Sequence, residues 1–262
     1  MKWGVLAVST ADREGMLLTM LESVARVHPG TGVTLILQGY SGTSPVLNHP
    51  AVADAVMLPE PIGPHSARVV GLPRMLKDGY QAIVNLDDDI ELVDKTDFRP
   101  SVLRACIAGV GVITNNWRRT PEMVAQVALK REFKPQPIVP TGGGLTYSKE
   151  TAEIILSGPD EDYLFDDAEW SLRAYLAGRE NLRYQGSLSV HRIRSSGGRH
   201  AWVATKRKRA LSDERYIKYR ISRTSYRGGP SNAFRIPVSS DLTPLARSTH
   251  KERRRLETSS WL

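Results

Sequence analysis

The first ninety residues alternate between short apolar runs and apolar positions at helical spacing. Val5-Leu6-Ala7-Val8 is an unbroken apolar run and predicts a buried strand. Leu17, Leu21, Val24 and Val27 then recur every three or four residues, which predicts a helix. Ser9 or Thr10 is its expected N-cap, Asp12 and Glu14 lie near its positive end, and Gly30 and Gly32 close it. Further strands are expected at 33–37, 55–58 and 81–86, with a helix at 66–77 that Pro73 kinks or divides. Strands alternating with crossover helices imply an α/β fold with a mostly parallel, doubly wound sheet.

The second half is less regular. Strands are expected at 110–114, 136–139 and 145–147, while 117–134 is polar without a clear period. Gly142-Gly143-Gly144 allows either close approach of backbone to a ligand or a tight turn. Ser148 is placed to cap a helix running to 156, with Gly158 as its stop. Asp166-Asp167 opens a helix running to 177, which Gly178 stops. A late strand at 187–191 ends in His191, and no internal repeat is found.

Candidate chemistry concentrates at the end of the strand at 81–86. Asp87-Asp88-Asp89 follows it directly. Three adjacent carboxylates repel one another unless positive charge meets them. A divalent ion carrying a diphosphate would do so, because Mg2+ and Mn2+ take oxygen ligands from few protein groups and the rest from water and phosphate. The competing reading is a solvated acidic turn. Ligands of doubly wound sheets bind beyond the carboxyl ends of the strands, and the triplet lies at such an end.

Composition adds little to the fold and more to the partners. Hydrophobic residues make up 40% of the 262, ordinary for a globular protein. No run approaches 18 apolar residues, so no membrane span is expected, and the apolar N-terminus reads as a first strand rather than an export signal. Cys106 is the only cysteine, so no internal disulfide forms; this fits a cytoplasmic location. Residues 205–262 hold fifteen Lys/Arg against five Asp/Glu, a balance of +10, which leaves −2 of the chain's +8 for residues 1–204. The expected organisation is a catalytic body at 1–204 and a basic extension at 205–262 that packs on it and meets the acceptor. Lys206-Arg207-Lys208-Arg209 opens the extension, and Tyr216, Tyr219, Tyr226 and Phe234 are interleaved with basic residues. That mixture suits phosphate contacts with base stacking, and equally a helix packed on the body.

Taken in order, these parts resemble the GT-A nucleotide-sugar glycosyltransferases, closest to the large family 2 type, over roughly residues 3 to 200. Residues 8–13 resemble the family's first strand and nucleotide-binding turn, and Gly63 with Ser66-Ala67-Arg68 its glycine and Ala-Arg segment. Asp87-Asp88-Asp89 sits where the family keeps its DxD motif, Asp166-Asp167 where it keeps a Glu-Asp pair, and His191 where a late histidine completes the metal site. The chain departs from the family at the end of its second strand, where Gln38 replaces an acidic residue that helps bind the base or ribose.

The resemblance implies a GT-A fold and a metal-dependent sugar transfer, inverting in outcome, from a nucleotide-diphosphate donor (UDP-sugar by default) to a hydroxyl. Asp89, Asp87 and His191 are the implied ligands of Mn2+ or Mg2+, with Asp88 ranked lower because strand alternation turns it to the other face. Asp167 is the implied general base, with Asp166 beside it. Thr10, Arg13, Gln38, Arg68, Asp87, Asp88, Gly143, Arg194 and Arg199 are expected at the donor, with Arg68 either on the diphosphate or paired with the triplet. Trp170 and residues 206–209 are expected at the acceptor, although Trp170 also suits the core, and Arg173 is placed to pair with Glu169. The loop after His191 combines Arg192, Arg194 and Arg199 with two glycines, and reads either as a closing loop over the donor or as a solvated linker.

The charge of the extension points to a polyanionic acceptor. The reading that follows is DNA bearing a hydroxymethylated pyrimidine such as hydroxymethylcytosine, as in bacteriophage-type DNA glycosyltransferases, with the base flipped out. The first alternative is a glycosyltransferase acting on a polysaccharide, lipid-linked sugar or protein. A nucleotidyltransferase ranks lower because no N-terminal glycine-rich loop with Arg and Lys is present. A non-catalytic nucleic-acid-binding protein would leave the acidic motifs as coincidences.

Overall fold

The computed structural model describes residues 1–136, 144–157 and 166–192. Nine strands form one sheet among them. In chain order the elements are β1 (Trp3–Thr10), α1 (Glu14–Val27), β2 (Val33–Gln38), β3 (Val52–Leu58), α2 (Pro64–Lys77), β4 (Ala82–Asp87), β5 (Ile90–Glu91), α3 (Arg99–Ala105), β6 (Val110–Arg118), α4 (Pro121–Ala125), β7 (Phe133–Pro135), β8 (Leu145–Ser148), α5 (Lys149–Leu156), α6 (Asp166–Leu176) and β9 (Glu180–His191). The sheet order is β3-β2-β1-β4-β8-β6-β9-β5, with β7 paired to β9. Pairing is parallel throughout β3-β2-β1-β4 and again between β6 and β9. The β4–β8, β6–β8, β5–β9 and β7–β9 pairs are antiparallel.

The alternation of β1 divides the core. Val5 and Ala7 face α1 and α3, packing with Leu17, Leu21, Val24, Phe98 and Val102. Leu6 and Val8 face the opposite layer, with Leu72 and Met75 of α2, Ile155 of α5 and Trp170 of α6. β2, covered on both faces, is buried at all six positions, and its Leu35-Ile36-Leu37 stretch is apolar without alternation. β3, at the edge, is only partly buried. The chain passes from β1 outward to β2 and β3, then returns to put β4 on the other side of β1. Neighbouring connections leave the sheet in opposite directions there, which opens a crevice at the carboxyl ends of β1 and β4.

Several sequence expectations are refined. Ser9 lies within β1 and does not cap a helix; one 3-10 turn (Ala11–Arg13) separates β1 from α1, and Thr10 Oγ1 donates to Asp12 Oδ1 at 2.6 Å. α2 runs undivided through Pro73, entered from Gly63 (φ 91°) with Pro64 in its first turn, where a missing N–H costs nothing. Gly71 lets α2 lie close on the sheet, since a Cβ there would stand 2.5 Å from Leu6 Cδ1. Ser148 caps α5 as expected, accepting from Thr151 N–H at 3.3 Å. The polar stretch 117–134 contains α4 and the start of β7, neither of which its pattern announces. Of the strand expected at 136–139, only Gln136 is described; its N–H donates to the Asn181 carbonyl. The boundary expected at 204/205 lies outside the described residues. No helix among the described residues is long and apolar enough to cross a membrane.

His28, just after α1, is buried between the Phe98 ring (stacked, centroids 5.4 Å) and the Trp3 edge (5.4 Å). Burial holds its imidazole below the ordinary 6.5; Asp97 opposes that and Arg99 adds to it. The unfolded chain therefore takes up a proton below about pH 6.5 that the folded chain refuses. The stability from this site is present above that pH and lost as pH falls, at no more than about 1.4 kcal/mol per pH unit. Unfolding of His28→Phe, measured at ~pH 7.5 and ~pH 5.5, should show a shallower loss of stability on acidification than the parent. An equal loss in both proteins would remove His28 as the source.

Candidate metal and donor site

The crevice between β1 and β4 gathers the acidic triplet. Val8 pairs with Asp87 in the β1–β4 register, so Ser9 and the turn carrying Arg13 stand beside Asp88 and Asp89. The two-residue strand β5 then pairs with the end of β9, Ile90 opposite His191 and Glu91 opposite Val190. Arg192 N–H donates to the Asp89 carbonyl at 2.9 Å, and Arg192 Nε donates to Glu91 Oε2 at 2.5 Å. This antiparallel clasp brings His191 to the triplet across a hundred residues of chain. Asp87, Asp89 and His191 each offer a ligand atom, all within 4.8 Å of one another. Two carboxylates and an imidazole at that spacing fit a single Mn2+ or Mg2+, the carboxylates as hard oxygen donors and the ring as a donor Mn2+ accepts more readily.

Each carboxylate of the triplet meets a cationic or titratable partner from the protein itself. Arg68, buried on α2, donates to Asp87. Arg13 grips Asp88 through Nε at 2.8 and 2.9 Å and through a terminal nitrogen at 2.5 Å, and reaches Asp89 Oδ2 at 2.9 Å. His191 Nε2 lies 3.0 Å from Asp89 Oδ1. Burial pulls the His191 imidazole down, but the hydrogen bond and charge of Asp89, with Asp87 beyond, override it and hold the ring above its ordinary value. Burial likewise pushes the Asp89 carboxyl up, and His191 with Arg13 brings it below the ordinary range. For Asp88 burial wins over Arg13 and Ser9, and the net direction is upward.

These contacts sort the expected site residues. Asp88, expected at the donor, is instead a buried anchor, 5% exposed and held by Arg13 and by Ser9 Oγ at 2.7 Å. Of the two positions proposed for Arg68, it takes the one against the triplet. Arg13 holds the carboxylates while remaining on the wall of a cleft of ≈ 380 Å³ together with Asp12, Asp89 and Glu91. Gln38 is buried, and its Oε1 accepts from Ile62 N–H at 2.7 Å, tying the end of β2 to the loop before α2.

Trp170, expected at the acceptor, is wholly buried: its Nε1–H donates to His65 Nδ1 at 2.9 Å, and its ring packs against Tyr147. It belongs to the core and does not reach an acceptor. Asp167 is nearly buried in the first turn of α6. Arg173 pairs with Glu169 as its spacing suggests, Nε to Oε1 at 3.1 Å. The side chain of Asp166, together with Gly143, Arg194, Arg199 and Lys206-Arg207-Lys208-Arg209, lies outside the described residues. Within the glycine run only Gly144 is described. Its φ of +118° and a position 2.8 Å from Leu86 Cδ2 for any added Cβ explain why glycine is needed there.

Sequence reasoning missed three contributors. Tyr40 donates to Ser9 Oγ at 2.9 Å, extending the buried chain of bonds from Asp88; burial pushes its phenol up to about 12. Trp117 presents its ring edge-on to His191, with centroids 5.0 Å apart. Glu91 anchors Arg192 beside the clasp. No local pattern marks any of the three, because each acts through a partner distant in sequence.

No protein-family model matches the chain, and no curated protein does. Solved structures do. A Pyrobaculum calidifontis mannosyltransferase in complex with GDP-Man and Mn2+ superposes with TM-score 0.60 at 17% identity, over 84% of this chain and 64% of that one. The present chain thus spans less than two thirds of that enzyme. Staphylococcus aureus TarS 1-349 gives 0.55 at 14% identity over 95% of this chain and 78% of that one. A Mycobacterium tuberculosis glucosyl-3-phosphoglycerate synthase, in complex with Mn2+, UDP and glucosyl-3-phosphoglycerate, gives 0.51 at 13% identity over 82% and 79%. The fold of the described body is the GT-A fold that these structures share.

Proposed function

We propose that a chain with this fold and this acidic centre is a metal-dependent glycosyltransferase using a nucleotide-diphosphate sugar. The observation that carries the reading is the convergence of Asp87, Asp89 and His191 within 4.8 Å at the β1–β4 crevice. Mn2+ accompanies the nucleotide in two of the similar structures, with GDP-Man in one and UDP in the other. The fold therefore leaves the nucleotide open, and UDP remains the working choice.

In this reading Asp87, Asp89 and His191 hold the ion, which when bound neutralises charge developing on the leaving diphosphate. Arg68 and Arg13 keep the carboxylates in place, as positioning residues. The acceptor hydroxyl oxygen bonds to the anomeric carbon as the bond from that carbon to the diphosphate oxygen breaks. Asp167 takes the hydroxyl proton, and the bonding electrons leave with the nucleoside diphosphate. Support for Asp167 is its place in the family pattern and at the start of α6. An inverting outcome is what the resemblance to family 2 implies, and a single general base is consistent with it.

For the acceptor we favour a hydroxymethylated pyrimidine in DNA, on the strength of the +10 balance of residues 205–262. A carbohydrate, lipid-linked sugar or protein acceptor is the alternative. The test is nucleoside mass spectrometry after incubating the protein, Mn2+ and a mixture of nucleotide sugars with hydroxymethylcytosine DNA. The expected result is a gain of one sugar residue on the modified nucleoside, and none on unmodified DNA. Donor turnover with carbohydrate acceptors, and none with this DNA, would overturn the DNA assignment and leave the transferase standing. DNA binding is expected to weaken by at least about tenfold between low and moderate salt. Salt-independent binding would remove the polyanion argument.

A further inference from the structure

A second cleft, of ≈ 410 Å³, opens along the carboxyl half of β6 and is walled by Asn116, Trp117, Arg118, Arg119, Gln136 and Arg183. Among the described residues no acidic side chain lines it. Two of its three guanidinium groups are held by neutral acceptors. Arg183 Nε donates to Asn116 Oδ1 at 2.7 Å, and Arg118 donates to the Trp117 carbonyl at 2.8 Å. Such bonds orient a guanidinium and leave its charge in place. Among the described residues none of the three arginines forms an ion pair, whereas Arg13, Arg68, Arg74 and Arg173 all do. Lys134 also lies directly opposite Arg183 in the β7–β9 register, although its Nζ turns to Glu132 at 3.2 Å.

The floor of this cleft is tied down by buried hydrogen bonds. Asn115, 2% exposed, accepts from Ser101 Oγ at 2.8 Å and donates to the Gly144 carbonyl at 3.2 Å and to Thr146 Oγ1 at 3.3 Å. The cleft is also coupled to the metal centre, because Trp117 lines it and at the same time packs edge-on against His191.

We propose that this cleft is a phosphate subsite that seats a phosphoryl group of the acceptor, one aromatic ring away from the metal centre. Oriented guanidinium forks suit the several oxygens of a phosphate better than a lone lysine would. The site itself stands on the cleft alone; its assignment to the acceptor rests on the glycosyltransferase reading. A phosphodiester of nucleic acid and a phosphorylated small molecule present the same chemistry to it.

The test follows the indole N–H resonance of Trp117, assigned with Trp117→Phe, in the 262-residue chain without metal. Inorganic phosphate is titrated at constant ionic strength, with chloride as the control. A saturable shift is expected in the parent, and an affinity weaker by about tenfold or more in Arg118→Gln/Arg183→Gln. Arg119→Gln, at an exposed side chain with no hydrogen bond to lose among the described residues, should weaken it too, which guards against a folding defect in the double variant. Binding of UDP with Mn2+ should be the same in the Arg118→Gln/Arg183→Gln double variant, in Arg119→Gln and in the parent. A linear, chloride-like response, or equal affinity in every variant, would overturn the site. Competition by a short thymidine oligonucleotide assigns the source to nucleic acid, and competition by glycerol phosphate alone assigns it to a small molecule. A phosphate response in a protein that binds no nucleotide with Mn2+ would leave the subsite standing and remove its role in glycosyl transfer.

Discussion

Alanine at Asp89 is expected to lower sugar transfer by about 10³-fold or more, the scale of losing a group that stabilises charge in the transition state. Asp89 is the busiest member of the acidic centre. One oxygen faces His191 at 3.0 Å and the other accepts from Arg13 at 2.9 Å, and its backbone carbonyl anchors β9 through Arg192. The substitution removes the carboxylate and keeps that backbone clasp. Mn2+ affinity should fall together with rate, and removal of metal by a chelator should reproduce the loss in the parent protein. Asp89→Asn, which keeps the shape and one oxygen, should still bind metal more weakly than the parent. Because the substitution also frees Arg13 and His191, thermal unfolding of the variant must be checked; Asp88 retains Arg13 and limits the damage. A variant that folds, binds Mn2+ as the parent does and transfers sugar within tenfold would show that the triplet is not the metal centre.

Trp170→Ala is expected to cost about 3–5 kcal/mol of stability, or on the order of 10 °C in Tm for a protein of this size. The side chain is fully buried among α2, β8 and α6. Its Nε1–H satisfies His65, and its ring meets Tyr147 edge to face at 5.8 Å. Truncation opens a cavity and strips a buried histidine of its donor, two penalties that add. Trp170→Phe should fall between, filling most of the space without the N–H. The measurement is urea unfolding of the three proteins, alongside the KM for acceptor of whatever folded protein remains. Unchanged stability with a raised KM would restore the acceptor role that the indole's position in sequence suggested.

The pairing around the triplet explains how three adjacent carboxylates persist at the carboxyl end of an interior strand. From the sequence, mutual repulsion pointed to a metal ion as the compensating charge. The tertiary structure adds Arg13 from the turn after β1 and Arg68 from α2, and these divide the triplet by role. Asp88, turned inward, is taken up by Arg13, Ser9 and, one bond further, Tyr40. Asp87 and Asp89 are left in reach of His191. Strand alternation had already set Asp88 apart from its neighbours, so this division was partly legible before any coordinates.

What the sequence determined by itself was the local and the periodic. The apolar run at 5–8, the helical spacing from Leu17 to Val24, the cap at Ser148 and the stop at Gly178 each act over a few residues, and each appears in the structure where its pattern puts it. The order of those elements was enough to imply the parallel half of the sheet and to place Asp87-Asp88-Asp89 at its carboxyl edge. The tertiary structure alone decided the rest. β5 is two residues long and exists only because β9 is there to pair with it. Trp170 presents the same letter to a reader whether it faces core or solvent, and the packing of α6 settled which. The arginine-lined cleft joins residues of β6, β9 and the segment after β7, scattered over nearly seventy positions with no shared period. Hydrophobic periodicity records which face of an element is buried; it carries no record of which distant side chain waits on the other side.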